Sequence, residues 1–272
     1  MEVRNGMTTD MATTLGQEPS KLLERLELAC LWMAERAQVV NEQDDTPRRH
    51  VHHTWTGALR GEYAAGQRQW GYFCPVWHTG QAVKAWTGAY RLTGNVRWLQ
   101  AARLGAEFIA RNQVDDGSDD DGLILAYEDH PDKVNTSAIL ECLDGWLELD
   151  QAMGEEVYAE RFTRAVDWVA RKAYLPGEGL FRDLYDPGAK AFVPNAYNVA
   201  GRPLLDDAVF LKALRRTDRA VYGEIFFKTA DRLLSDESPA GNWVCYPPCN
   251  RAAGRIHPRQ AYWWGYPMFA AH

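Results

Sequence analysis

The stretch Thr79–Arg111, TGQAVKAWTGAYRLTGNVRWLQAARLGAEFIAR, reads as two helices folded back on each other at Thr93-Gly94-Asn95. The first is apolar on most of its surface, with Trp86, Ala89 and Tyr90, and a helix of that kind is buried. The second alternates apolar and charged positions at helical spacing. The design returns at Asn135–Ala173 (NTSAILECLDGWLELDQAMGEEVYAERFTRAVDWVARKA) and at Pro203–Leu234 (PLLDDAVFLKALRRTDRAVYGEIFFKTADRLL). It begins once more at Arg259–His272 (RQAYWWGYPMFAAH). Copies follow each other at roughly 55–70 residues, and such a period marks stacked supersecondary units. Upstream, Ser20 reads as an N-cap for a helix over Lys21–Val40, and residues 1–19 read as a disordered polar segment.

The connections fall into two classes. Turns inside hairpins are short (Thr93–Asn95, Met153–Glu155, Arg216–Asp218), whereas links between hairpins are long (Gln113–Val134, Tyr174–Arg202, Ser235–Pro258). In a stack of antiparallel hairpins all short turns lie at one end and all long loops at the other. Loops on a rigid scaffold are where binding and catalysis gather. No long β-alternation is present, although Leu123–Tyr127 and Trp243–Tyr246 read as short ribbons within loops. The expected fold is all-α: first helices inside, more charged second helices outside, residues 20–272 forming one domain.

Composition narrows the functional classes. A net charge of −7 with a pI near 5.5 argues against nucleic acid or an anionic membrane as the main partner. No apolar run approaches a membrane span, and the N-terminus shows no signal-peptide pattern. The five cysteines are an odd number and scattered, which suits a reducing, cytoplasmic setting better than a disulfide framework. Eleven Trp and twelve Tyr exceed the needs of an ordinary core, and flat rings also pack on sugar rings.

The hairpin phrase over Trp86–Gln113 and the closing RQAYWWGYPMFAAH resemble the six-hairpin glycosidase superfamily, whose (α/α)6 toroid has an inner and an outer ring of helices. The resemblance covers roughly residues 70–272. It implies a carbohydrate-active enzyme, either a glycoside hydrolase or a sugar epimerase. Six hairpins would take about 360 residues at this period. The chain carries about four, so the toroid is expected to be incomplete: the sequence is a truncated fragment, or the ring is open, or a second copy completes it. Unsaturated glucuronyl hydrolases of the superfamily carry an Asp before certain inner helices. His78 and Asn135 hold those places here, which speaks against their hydration mechanism.

Among residues able to carry chemistry, Asp206-Asp207 stand first. Capping of a helix accounts for one carboxylate, and two adjacent ones can set their proton affinities apart to give an acid and a base. Asp129, with Glu128 beside it, is the candidate second carboxylate for glycoside cleavage. His78 is a candidate for proton transfer. For substrate, the candidates are Trp70, Trp77, Glu128, Tyr197, Trp243, His257, Arg259, Gln260, Trp263 and Trp264, with Tyr72, Phe73 and Tyr185 in the same loop-borne aromatic set. The run Asp115–Asp121 lacks the spacing of a calcium loop and reads as a mobile acidic turn. His50, His52 and His53 lack metal-ligand spacing and read as a surface loop. No phosphate loop or dinucleotide fingerprint is present, and neither a cofactor nor a metal is expected.

The expected function is therefore hydrolysis of an oligo- or polysaccharide by carboxylate acid/base catalysis. Two alternatives stay open. One is a sugar epimerase or polysaccharide lyase using His78 and His257. The other is a non-catalytic saccharide-binding helical repeat.

Overall fold

The computed structural model describes residues 8–42, 52–128, 130–194 and 201–235. The fourth hairpin, together with Asp129, Tyr197, Trp243, His257, Arg259, Gln260, Trp263 and Trp264, lies outside the described residues.

Three hairpins are present among the described residues. Helices α2 (Pro75–Thr93) and α3 (Val96–Arg111) form the first, α4 (Thr136–Met153) and α5 (Ala159–Trp168) the second, and α6 (Val209–Thr217) and α7 (Ala220–Ser235) the third. Each turn has a local cause. Gly94 and Gly154 take left-handed backbone at the C-caps of α2 and α4, which glycine adopts without steric cost. Asp218 does the same after α6. Asn95 caps α3 by accepting the Arg97 N–H.

A first helix, α1 (Thr8–Trp32), packs on α2, and the Trp86 indole N–H reaches the Cys30 carbonyl at 3.2 Å. It begins at Thr8, inside the segment read as disordered, and runs through Ser20 rather than being capped by it. Both α1 and α5 end in a π-turn, Met33–Ala37 and Val169–Ala173, with related sequences, WMAERA and WVARKA. The short strands are all loop ribbons. They are β1 (Glu62–Ala64) with β2 (Gln69–Gly71), β3 (Val134–Asn135) with β6 (Leu184–Asp186) and β7 (Ala191–Phe192), and β4 (Tyr174–Leu175) with β5 (Leu180–Phe181), all antiparallel. The Leu123–Tyr127 run pairs only through isolated bridges, Ile124 to Gln113 and Tyr127 to Val134.

Helices α2, α4 and α6 are the inner layer, and they run parallel. Lys84 of α2 meets Asp144 of α4, and further along Arg91 meets Glu148. Lys212 of α6 likewise meets Asp144, and Arg216 meets Glu156 just past α4. Helix α4 is buried over nearly its whole length, from Thr136 to Trp146 without a break. Its contact with α2 is close enough to need glycine on both sides. A Cβ at Gly80 would collide with the backbone of Cys142, and one at Gly145 would sit 2.6 Å from the Gly80 carbonyl oxygen. The architecture is all-α and built of helical hairpins, three of them within the described residues. Substituting Gly145→Ala should force α2 and α4 apart and destabilise the chain by about 1–3 kcal/mol, read from urea unfolding.

Candidate active site

Parallel inner helices bring their N-terminal ends to one side, and the long loops lie there. Glu141 and Asp144 come from α4, one turn apart and so on one face. Gln81 and Lys84 come from the facing side of α2. A single turn of 3₁₀ helix, Asp206–Ala208, precedes α6 and carries the two adjacent aspartates.

Neither aspartate caps a helix. The cap positions are Leu205 and Ala208, and no side chain bonds there. Asp207 accepts Lys84 Nζ at 2.6 Å and lies 3.5 Å from Gln81 Nε2, which also donates to the Glu141 carbonyl at 2.7 Å. Lys84 bridges on to Asp144 at 3.0 Å, and Lys212 binds the other Asp144 oxygen. Burial works against the Lys84 ammonium, yet its two carboxylate partners outweigh this and raise its proton affinity.

Asp206 points the other way, into the protein, and is 4% exposed. No nitrogen or hydroxyl donates to its Oδ2. Its neighbour is the Glu141 carboxyl, also buried. Desolvation followed by repulsion from Asp206 pushes Glu141 far above the usual carboxylate range. Desolvation raises Asp206 as well, but Arg202 pulls it back down. Burial therefore favours the neutral form of Glu141, while Arg202 favours the ionised form of Asp206. Arg202 is fixed by Ser137 Oγ at 2.7 Å and Asp183 at 3.3 Å. Glu128 is half-buried, and its charge acts on Glu141 and Arg202, which places it beside this cluster.

His78 lies one turn before Gln81 on the same side of α2. Its Nδ1 meets the Phe73 carbonyl at 2.8 Å, so Nδ1 carries the hydrogen and Nε2 presents a lone pair. Desolvation lowers its proton affinity despite that bond, keeping the ring neutral near pH 7. The Trp77 ring stacks on it at 4.7 Å, and the Trp77 indole N–H is buried without an acceptor. Asn135 Oδ1, just before α4, is likewise buried without a donor.

Other expectations are corrected. The Trp70 ring, on β2, packs against those of Trp32 and Tyr63. Tyr72 and Tyr185 are core residues. Tyr185 is 1% exposed, and its hydroxyl donates to Asp120 at 2.6 Å. The acidic turn Asp115–Asp121 is pinned, because Asp115 holds Arg161 and Arg164 while Asp119 holds Arg171 and Lys172. His52 packs among Trp55, Phe108 and Tyr127 rather than lying on the surface. The sequence reading missed Glu141, Lys84, Asp144 and Arg202. Charged residues at inward positions of helices otherwise made of Ala, Leu, Ile and Trp were the available signal, since charges seldom enter a core unpaired.

No protein-family model matches the chain, and no curated protein matches it. Solved structures do. The GH76A alpha-1,6-mannanase from Salegentibacter sp. HEL1_6 is 18% identical, with 61% of this chain and 49% of that one covered at a TM-score of 0.49. A sugar epimerase from a ruminal bacterium is 17% identical over 68% and 52% of the two chains, TM-score 0.49. A D-mannose isomerase is 13% identical over 78% and 50%, TM-score 0.47. The chain thus spans about half the length of each of these structures.

The burial of Glu141 beside Asp206 gives stability a pH dependence. A carboxyl that holds its proton more tightly folded than unfolded binds more protons in the native state between its two titration points. Stability then falls as pH rises from the ordinary carboxylate range upward. Glu141→Gln cannot ionise, so its Tm relative to the wild type should climb between about pH 5 and about pH 8, followed by calorimetry. A gap that stays flat with pH would show that no such proton is held.

Proposed function

We propose that the chain belongs to a carbohydrate-active enzyme, a glycoside hydrolase whose chemistry is carried by Asp206 and Asp207. The observation that supports it is the contrast between neighbouring carboxyls. Asp207 is partly exposed and paired with Lys84, whereas Asp206 is buried beside Glu141, and burial raises the proton affinity of both. Glycosidic cleavage asks for that division: one carboxyl group gives a proton to the leaving oxygen, and a carboxylate activates water or attacks the anomeric carbon. In this reading the Asp206–Glu141 pair supplies the proton and Asp207 is the carboxylate. Trp77, stacked on His78 with an unmet N–H, and Asn135 with an unmet oxygen, offer one ring face, one donor and one acceptor to a polyhydroxylated ligand. The hairpin scaffold resembles the one that the six-hairpin glycosidases use, and its long loops lie over this end. The ligand would be an oligosaccharide or polysaccharide segment.

A second reading, sugar epimerisation, is favoured by one observation, the neutral His78 with Nε2 as acceptor, which suits it to take a proton next to a carbonyl.

Reducing-sugar release from a panel of oligosaccharides separates the two. Asp207→Asn should lower kcat by at least about 100-fold while thermal stability changes by less than about 1 kcal/mol. Wild-type turnover in both Asp207→Asn and Asp206→Asn would sink the hydrolase reading. Loss of solvent-deuterium incorporation into a reducing sugar in His78→Ala, with the aspartate variants unaffected, would replace it with epimerisation.

A further inference from the structure

Asp207 and Ala208 both sit in left-handed backbone, at φ 49°, ψ 19° and φ 52°, ψ 35°. For residues with a Cβ this is sterically unfavourable, and two in succession are uncommon. Alanine in particular has no side-chain polar group to offset it. Such strain persists only where the surroundings over-determine it, and it collects at functional sites. The bonds of the turn itself are too few to hold it: Ala208 N–H reaches the Leu205 carbonyl at 3.1 Å, and Val209 N–H the Asp206 carbonyl.

The grip comes from a different helix. Lys84 Nζ holds Asp207 Oδ1 at 2.6 Å, and Gln81 Nε2 lies 3.5 Å from Oδ2. Lys84 is itself immobilised by Asp144, whose side chain is only 5% exposed. Asp144 in turn takes Lys212, which lies on the helix that the strained turn begins. The charges therefore close a circuit from the turn to α2, from α2 to α4, and from α4 back to α6. We propose that Lys84 is the positioning residue that holds Asp207 in its left-handed turn and so fixes the carboxylate for reaction. The inference rests on the reading of Asp207 as a catalytic residue, but the part that concerns the turn does not.

Two measurements test it. The first is independent of activity: Cα chemical shifts of Asp207 and Ala208 in selectively labelled protein. In Lys84→Met they should leave left-handed values, and in Lys84→Arg, which keeps the charge, they should stay. Left-handed shifts retained in Lys84→Met would overturn the proposal whatever the enzyme does. The second is kinetic, on a saccharide the wild type cleaves. Lys84→Met should lower kcat by on the order of 100-fold with little change in KM, the signature of a misplaced group rather than lost binding, and Lys84→Arg should recover most of it. A rise in KM at constant kcat would refute a positioning role. If no saccharide is turned over by the wild type, the hydrolase reading fails and the shifts alone decide on Lys84. Ala208→Gly, which removes the offending Cβ, should raise Tm by about 2–4 °C, and a lowered Tm would show the turn to be unstrained.

Discussion

The close parallel approach of α2 and α4 is the constraint on which the remainder depends. Gly80 and Gly145 let one backbone lie against the other. That contact sets Gln81 and Lys84 opposite Glu141 and Asp144, and the grip on Asp207 builds on it. With bulkier residues at the crossing the helices would stand further apart, and a lysine on one could no longer reach an aspartate buried against the other. Backbone proximity here is a condition for chemistry as well as for packing.

Around this contact the protein places charge where a core normally has none. Asp144 is neutralised by two lysines from different helices and Asp183 by Arg202, and burial raises the proton affinity of Glu141 beside Asp206. Burying ions is costly, and replacing paired ones by apolar residues is often neutral or stabilising. A cluster of this size is poorly explained by stability alone. Its members instead differ in exposure, from the buried Asp206 to the partly exposed Asp207.

The hairpins were legible because α2 and α4 are apolar on most of their surface, each turn carries Gly or Asp, and the link lengths alternate. The position of Asp206-Asp207 at the head of α6 was legible too, but their role was misread as partly capping. Capping is a local rule. What governs these residues is contact with α2 and α4, more than sixty residues away for Glu141 and Asp206 and more than a hundred for Lys84 and Asp207. Sequence periodicity shows which face of a helix turns inward, not which charges meet there. The same limit hid the difference among aromatics. Tyr185 and Trp77 both follow loop signals, yet a buried Asp120 claims the first and leaves the second with an unmet indole N–H.

The two π-turns bear on how such a scaffold can vary. In the first, the Gln38 N–H reaches back five residues to the Met33 carbonyl, and in the second Tyr174 reaches Val169. Each closes its outer helix within a single wide turn and delivers the chain in extended form, Gln38 to a bridge with Leu59 and Tyr174 to β4. The helix is thus finished before the loop begins. A loop hung from such a terminus can lengthen, shorten or change composition without altering helix register, so the working end can be recut while both helical layers stay as they are.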